Sequence, residues 1–92
     1  MTNPPVVLRT EEAREAADHI MAKLNSIQPT VFDYKTRNGL SYLARIAQES
    51  FNDLKAGEEL SGGAREKAIS DAVEKFEEAY RRVMALGIGE EP

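Results

Sequence analysis

The side chain with the widest chemical range in this sequence is its single histidine, His19, which follows Glu15 by four residues. On a helix this spacing places both side chains on one face, where they could supply two ligands to a metal ion. A closed metal site needs about four ligands, and no HExxH or paired ExxH motif supplies the others. The absence of cysteine also excludes thiolate zinc sites, iron–sulfur clusters and disulfides. We therefore expect no metal, no cofactor and a solvated His19.

Catalytic groups are equally hard to assemble from these residues. The five serines lack a GxSxG context and would have to share one histidine as their base. Adjacent glutamates at 58–59, 77–78 and 90–91 are all predicted to lie on exposed faces. A general acid needs a carboxyl group whose pKa is raised in an apolar cleft, and the pattern predicts no such cleft. We predict that the protein is not an enzyme.

One segment interleaves aromatic and basic side chains. Tyr34, Arg37, Tyr42 and Arg45 lie within it, together with Lys35. Tyrosine and arginine are enriched among the residues that dominate binding energy at protein interfaces. We therefore take this segment as a candidate partner-binding surface, the alternative being a solvated loop and helix edge.

The spacing of apolar residues predicts a first helix at about 11–27. Thr10 is a good N-cap, and the apolar positions from Ala13 to Ile27 recur at intervals of 4, 3, 4 and 3 residues. The helix is expected to end before Pro29, because the residue that precedes a proline avoids helical dihedral angles.

A second and a third helix are predicted by the same spacing. The second covers about 39–56, with an optional extension back to residue 30, and Gly57 is its expected C-cap. A linker at 58–63 precedes a third helix at about 64–86.

The conformation at 31–42 is the main uncertainty of this prediction. Asn38-Gly39 lies between two short apolar and aromatic segments, which is typical of a tight hairpin turn. A helix that begins near residue 30 and a loop before residue 39 are the competing interpretations.

Together these elements predict a small all-α protein, a three-helix bundle in a single helical domain at 10–87, with an extended arm at 1–9 and a frayed tail at 88–92. Only twenty of the 92 residues are Leu, Ile, Val or Phe, so the core is thin and dimerisation could complete it. A second stripe on the third helix, Val73, Tyr80 and Met84, is a candidate contact surface for this. The alternative is that the first helix and the arm cover the stripe within one chain.

Charge and hydropathy restrict the partners and the compartment. The formal net charge is −4, and residues 47–92 are the acidic half. This half should repel phosphate backbones, which disfavours broad nucleic-acid binding. No apolar run approaches the ~20 residues of a membrane span, and no basic segment begins a signal peptide. We expect no membrane partner and a cytoplasmic location.

The sequence is therefore interpreted as a non-enzymatic helical protein-interaction module that acts stoichiometrically on a larger protein partner or forms a homodimer. Accessory subunits, regulators and phage- or plasmid-type inhibitors have this combination of small size and acidic charge. One alternative is a nucleic-acid-linked function, either by phosphate contact through the basic 35–45 segment or by an acidic face that imitates nucleic acid. The predicted partner-binding residues are Tyr34, Arg37, Tyr42, Arg45, Val73, Tyr80 and Met84.

Overall fold

The protein folds as three α-helices that pack against one another in a small bundle, and this computed structural model describes residues 7–27 and 34–86. Helix α1 covers Glu11–Asn25, α2 covers Tyr34–Glu58 and α3 covers Gly62–Ala85. The described residues contain no strand, so the all-α three-helix prediction is confirmed. Residues 1–6 of the predicted arm at 1–9 and the whole predicted tail at 88–92 lie outside the described residues.

The prediction of a hairpin turn at Asn38-Gly39 is wrong, since both residues lie inside α2 and Gly39 is buried. The helical period of Leu40, Leu43 and Ala47 continues back through these residues and outweighs the local turn preference of Asn-Gly. Residues 31–33 of the uncertain segment lie outside the described part of the chain.

The boundary between α2 and α3 also differs from the prediction. Helix α2 continues through Gly57 to Glu58, and α3 begins at Gly62, so the expected linker shrinks to residues 59–61. Gly57 lies inside α2 and does not end it. The absence of a side chain at Gly57 instead allows α2 to approach α3 closely. A Cβ atom on Gly57 would lie 2.9 Å from the Cβ of Ala68. Gly62, with φ of +61°, takes the positive dihedral angle that this short connection requires.

The short connection makes α2 and α3 an antiparallel pair, and α1 packs along both of them. Thr10, the N-cap of α1, is hydrogen-bonded to Glu58 at the end of α2, whereas Ser26 at the other end of α1 lies beside Tyr80. Helix α1 is therefore antiparallel to α2 and parallel to α3. The bundle is elongated, with extents of 46, 25 and 16 Å.

Most of the core consists of residues that the apolar spacing predicts, although Leu86, the last position of the apolar spacing in the third helix, is 59% exposed. Ala13, Ala17 and Ile20 of α1 are buried, as are Leu43 of α2 and Phe76 of α3. Six of the fourteen buried apolar residues in the described part of the chain are alanine, which allows the helices to approach closely but buries little area for each residue. The other buried apolar side chains are Leu8, Ala16, Ile27, Ala47, Phe51, Leu54, Ala72, Ala79 and Val83.

Candidate interaction surface

The first half of α2 carries the aromatic and basic side chains singled out in the sequence. Tyr34 opens the helix and is 77% exposed, and Arg37 and Arg45 are also exposed. Tyr42 is partly buried and packs against the core. We call Tyr34, Arg37, Tyr42 and Arg45 the tyrosine–arginine surface. The structure places all four on one helix, within about three turns of each other.

Arg45 and Tyr42 form a defined pair on this surface. The guanidinium carbon of Arg45 lies 5.6 Å from the centre of the Tyr42 ring, within the range of a cation–π contact. Because packing against the core holds the Tyr42 ring, the ring provides a support that orients the arginine. Exposed Arg45 therefore presents its charge to solvent with less conformational freedom than an isolated arginine.

The electrostatics of this half-helix are unusual for a helix start. From Tyr34 through residue 48, α2 contains Lys35, Arg37 and Arg45 and no acidic residue, the nearest in sequence being Asp33 and Glu49. The helix macrodipole favours anions near an N-terminus and disfavours cations there. Lys35 and Arg37, which lie in the first turn, are therefore unfavourably placed relative to the dipole, and Arg45 adds to the positive charge of this half-helix.

The predicted second stripe on α3 packs in large part against other residues of the same chain. Val73, Tyr80 and Met84 are partly buried and pack against the core. The Tyr80 hydroxyl lies 3.3 Å from the Ser26 hydroxyl, and the Lys23 ammonium lies 4.7 Å from the centre of the Tyr80 ring. Helix α1 thus covers Tyr80, and the stripe offers less free surface than Tyr34 does.

His19 is not a freely solvated side chain. Its Nε2 atom pairs with one Glu77 carboxylate oxygen, and Lys23 Nζ lies 2.9 Å from the other. Hydrogen bonds from His19 and then Lys23 hold the pKa of Glu77 below its ordinary value, against a smaller opposing effect of burial. Glu77 is thus partly buried between α1 and α3 rather than exposed as predicted. Glu15 takes no part, and among residues 7–27 and 34–86 no three potential ligands are grouped to hold a metal ion.

Glu58 is a buried carboxylate that the sequence prediction missed, since it was expected to be exposed and its side chain is fully buried. Its oxygens accept hydrogen bonds from the backbone amides of Arg9, at 2.9 and 3.1 Å, and of Thr10, at 3.0 Å. The Thr10 hydroxyl and Lys55 Nζ each donate at 3.1 Å. Burial raises the pKa of Glu58, but these hydrogen bonds, led by those from the Thr10 and Arg9 amides, together lower it to about 2.

The sequence feature that could have indicated a buried acceptor such as Glu58 lies at the start of α1, not in α2. Thr10 caps α1 by accepting a hydrogen bond from the Ala13 amide at 3.3 Å. A capping box would place Glu or Gln at position 13, where its side chain would accept from the Thr10 amide. Alanine stands there, so this amide needs an acceptor from elsewhere in the chain. Glu58 supplies it from the end of α2.

The remaining acids divide into neutralised and unneutralised groups. Glu74 pairs with Arg81, and Glu78 with Arg82, at 2.9 and 3.5 Å. With Glu58 buried and Glu77 paired with His19 and Lys23, the glutamates between residues 58 and 78 do not form the continuous unpaired face that an imitation of nucleic acid would need. Four exposed acids of α1 have no cation partner among the described residues: Glu11, Glu12, Glu15 and Asp18.

An open groove of about 560 Å³ lies between α2 and α3, and Gly57 and Ala68 are part of its lining. Lys75 at its rim lies 3.1 Å from Asp53 and 3.4 Å from Glu49. The hydrogen bond to Asp53 is the main cause of a raised Lys75 pKa, which keeps this amine charged. A charged amine in an open groove is not activated as a nucleophile or base.

No described helix has a segment long and apolar enough to cross a membrane. The chain matches no protein-family model, and comparisons with curated proteins and with solved structures find no significant similarity.

Proposed function

We propose that the protein is a non-enzymatic helical interaction module that binds an acidic surface of a larger cytoplasmic protein through the tyrosine–arginine surface. The observation that carries this proposal is Tyr34, which is 77% exposed at the start of a half-helix that bears three cations and no acid. A partner that buries the Tyr34 ring would gain hydrophobic contact area, and a carboxylate of that partner beside Arg45 would gain a charge-assisted hydrogen bond.

The binding mechanism is steric and stoichiometric. Tyr34 supplies a large rigid ring that loses little conformational entropy on burial, and Arg45 supplies a forked donor for carboxylates. The contact between Arg45 and Tyr42 holds this fork in place before binding, which lowers the entropic cost of association. The module would act as an accessory subunit, a regulator or an inhibitor by covering a surface of its partner, without turnover.

The test is affinity capture of partners by the tagged full chain from native lysate treated with nuclease. We expect a protein partner recovered at fixed stoichiometry, and we expect Tyr34→Ala and Arg45→Ala each to reduce its recovery about tenfold or more, the scale of a hot-spot residue. Lys67→Ala is the matched control, because Lys67 is an exposed cation on α3 that pairs only with exposed Asp71 among the described residues. Equal recovery by all three variants would contradict the proposal.

The same cations support a second candidate function, contact with nucleic-acid phosphates. Lys35, Arg37 and Arg45 lie on one half-helix whose N-terminal dipole also attracts anions. Binding to a DNA duplex, measured by fluorescence anisotropy over a range of salt concentrations, distinguishes the two. Phosphate contact predicts a steep salt dependence that flattens when these three residues are replaced by alanine. Capture that nuclease abolishes would favour this function over the protein-binding one.

A further inference from the structure

A regularly spaced row of side chains lies on the side of α2 that meets α3. Glu49 and Asp53 are on this side, since both pair with Lys75 of α3. Tyr42 precedes Glu49 by seven residues, and Lys35 precedes Tyr42 by seven. Because each step of seven residues turns a helix by only about 20° from a full repeat, these three side chains share one side of α2. We call Lys35, Tyr42 and Glu49 the α2 stripe.

The α2 stripe is accessible to solvent. Helix α1 packs against a different side of α2, the side that carries Glu58. Lys35 and Glu49 are exposed, and Tyr42 is half-buried. The open groove between α2 and α3 begins on the same side as the stripe, since Asp53 is part of its lining. The stripe therefore presents two charged side chains and part of an aromatic ring to a partner.

The two ends of the α2 stripe carry opposite unneutralised charges. Lys35 has no carboxylate partner among the described residues. At the other end, Glu49 and Asp53 share one cation, because the Lys75 ammonium lies 3.4 Å from Glu49 and 3.1 Å from Asp53. Two carboxylates beside one ammonium leave one negative charge at this end. Each end of the stripe thus lacks one counter-charge of the kind that the other end offers.

The spacing of the α2 stripe is symmetric about Tyr42. Lys35 and Glu49 each lie about 10 Å from Tyr42 along the helix axis, in opposite directions. A twofold axis perpendicular to α2 and level with Tyr42 therefore places Lys35 of each molecule opposite Glu49 of the other. The two Tyr42 rings meet at the axis, and half-buried Ile46, one turn further along, adds apolar surface beside them. Such a contact is isologous and closes as a dimer, not as an open chain.

We infer that a second copy of this chain docks on the α2 stripe in an antiparallel dimer, with Lys35 of each protomer paired with Glu49 of the other and the two Tyr42 rings packed together at the twofold axis. This inference goes beyond the proposed function, because Tyr34 and Arg45 are not members of the stripe. These two residues are eleven positions apart, which is about three turns, and so they share a neighbouring side of α2.

Self-complementarity is what selects a second copy as the occupant. The α2 stripe holds both members of an ion pair at equal distances from its centre, which a twofold interface requires and a contact with an unrelated protein does not. The thin core gives an independent reason for assembly. Six of the fourteen buried apolar residues in the described part of the chain are alanine, and small domains with few large apolar residues gain stability when they oligomerise.

The experiment measures dimerisation of charge variants by sedimentation equilibrium at about 50 mM and about 500 mM salt. We expect the unaltered chain to dimerise at low salt and to dissociate more readily at high salt, because screening weakens exposed charge contacts. Lys35→Glu places two carboxylates opposite each other, and Glu49→Lys places two ammonium groups opposite each other. Each single variant should therefore have a dimer dissociation constant raised about tenfold or more.

Exchanging both charges should restore the dimer. In the double variant, Lys35→Glu with Glu49→Lys, every pair across the axis again joins opposite charges, so its dissociation constant should return towards that of the unaltered chain. An equimolar mixture of the two single variants should likewise form heterodimers, since one chain then supplies both carboxylates and the other both ammonium groups. Recovery in either form excludes unfolding as the cause of the losses.

Glu66→Lys is the control for net charge. Glu66 is an exposed acid without a cation partner among the described residues. It lies eleven residues before Glu77, about three turns, and is therefore on the side of α3 that faces α1. This variant should dimerise as the unaltered chain does, and far-ultraviolet circular dichroism verifies the fold of every variant. A monomer at low salt overturns the inference, as does a dimer that neither single variant weakens or a double variant that stays monomeric.

These outcomes are separate from those of the proposed function. If the chain is monomeric but Tyr34→Ala lowers capture of a partner protein, the proposed function stands and the inference about self-association fails. If the charge exchange restores a dimer but Tyr34→Ala leaves capture unchanged, self-association stands and the partner-binding role of the tyrosine–arginine surface fails.

Discussion

Glu58 performs for Thr10 the task that a neighbouring residue performs in a capping box. Its carboxylate accepts the Thr10 backbone amide at 3.0 Å and the Thr10 hydroxyl at 3.1 Å, although the two residues are 48 positions apart. The start of α1 is thus hydrogen-bonded to the end of α2, and a local helix cap becomes a tertiary contact. This connection also places the acidic turns of α1 at the end of the bundle opposite to the tyrosine–arginine surface.

We expect the protein to lose stability in acid because of Glu58. The pKa of Glu58 is about 2 in the folded chain, compared with 4.5 for an ordinary glutamate. A depressed folded pKa stabilises the fold at pH values above the unfolded pKa, and this contribution is lost as the pH falls from about 5 towards 2. At neutral pH the difference corresponds to roughly 3 kcal/mol. Urea unfolding of Glu58→Gln should show a deficit of this order at pH 7 that shrinks steadily down to pH 3.

The control for this prediction is Glu66→Gln, which alters an exposed glutamate on α3. Its free energy of unfolding should stay close to that of the unaltered chain at every pH. If Glu58→Gln is as stable as the unaltered chain at pH 7, the carboxylate does not hold the two helix ends together.

Gly57→Ala should destabilise the bundle although alanine is the better helix former. The new methyl group would lie 2.9 Å from the Ala68 Cβ, and both groups are held on helix backbones, so α2 and α3 must move apart. We expect a net loss of about 1–3 kcal/mol, which is typical of overpacking a close helix contact. Thermal unfolding followed by circular dichroism measures it.

Gly63→Ala is the matched control for Gly57→Ala. A Cβ atom at Gly63 would have no neighbour within 4 Å, so only the gain in helix propensity remains. This variant should be more stable than the unaltered chain by about 0.5–1 kcal/mol. Equal effects of the two substitutions would mean that the Gly57–Ala68 approach places no constraint on packing.

Ser50→Ala should stabilise the protein. Ser50 is fully buried, and its hydroxyl lacks a hydrogen-bond partner among the described residues. Removing an unsatisfied buried hydroxyl recovers about 1 kcal/mol of desolvation cost. Ser70→Ala on the exposed face of α3 makes the same change in helix propensity without removing a buried hydroxyl. The difference between the effects of the two substitutions on the free energy of unfolding therefore measures the desolvation cost of Ser50. Equal values would indicate that the Ser50 hydroxyl is satisfied in solution.

Removing the charge of Glu77, which lies between α1 and α3, should lower the free energy of unfolding by a small amount. Its pKa is held below the ordinary value by His19 and Lys23, so its contribution is present above the ordinary glutamate pKa and is lost as the pH falls below it. Because the side chain is only 18% exposed, we expect Glu77→Gln to cost about 1 kcal/mol at pH 7. The exposed pair of Glu74 and Arg81 is the comparison, and Glu74→Gln should cost less than about 0.5 kcal/mol. Chemical denaturation of both variants tests whether Glu77 contributes more than a surface ion pair.

The apolar spacing of the sequence by itself determined that there are three helices and identified most of the residues that face the core. The recurrence of Ala13, Ala17 and Ile20 sufficed for α1, and Thr10 was identifiable as its cap. This works because helix period and capping depend on residues within about one turn of each other. The aromatic and basic composition of the tyrosine–arginine surface is likewise visible in the sequence, because the residues lie close together along one helix.

Tertiary structure alone decided what each polar side chain contacts. Asn38-Gly39 favours a turn over a few residues, but packing along the whole of α2 supports a continuous helix. Glu58 and Glu77 look like exposed surface glutamates, and both are held by residues that are far away in the sequence. Local preference sets where a helix forms, whereas the pKa, burial and pairing of a side chain depend on which distant atoms the packed helices bring within hydrogen-bonding distance.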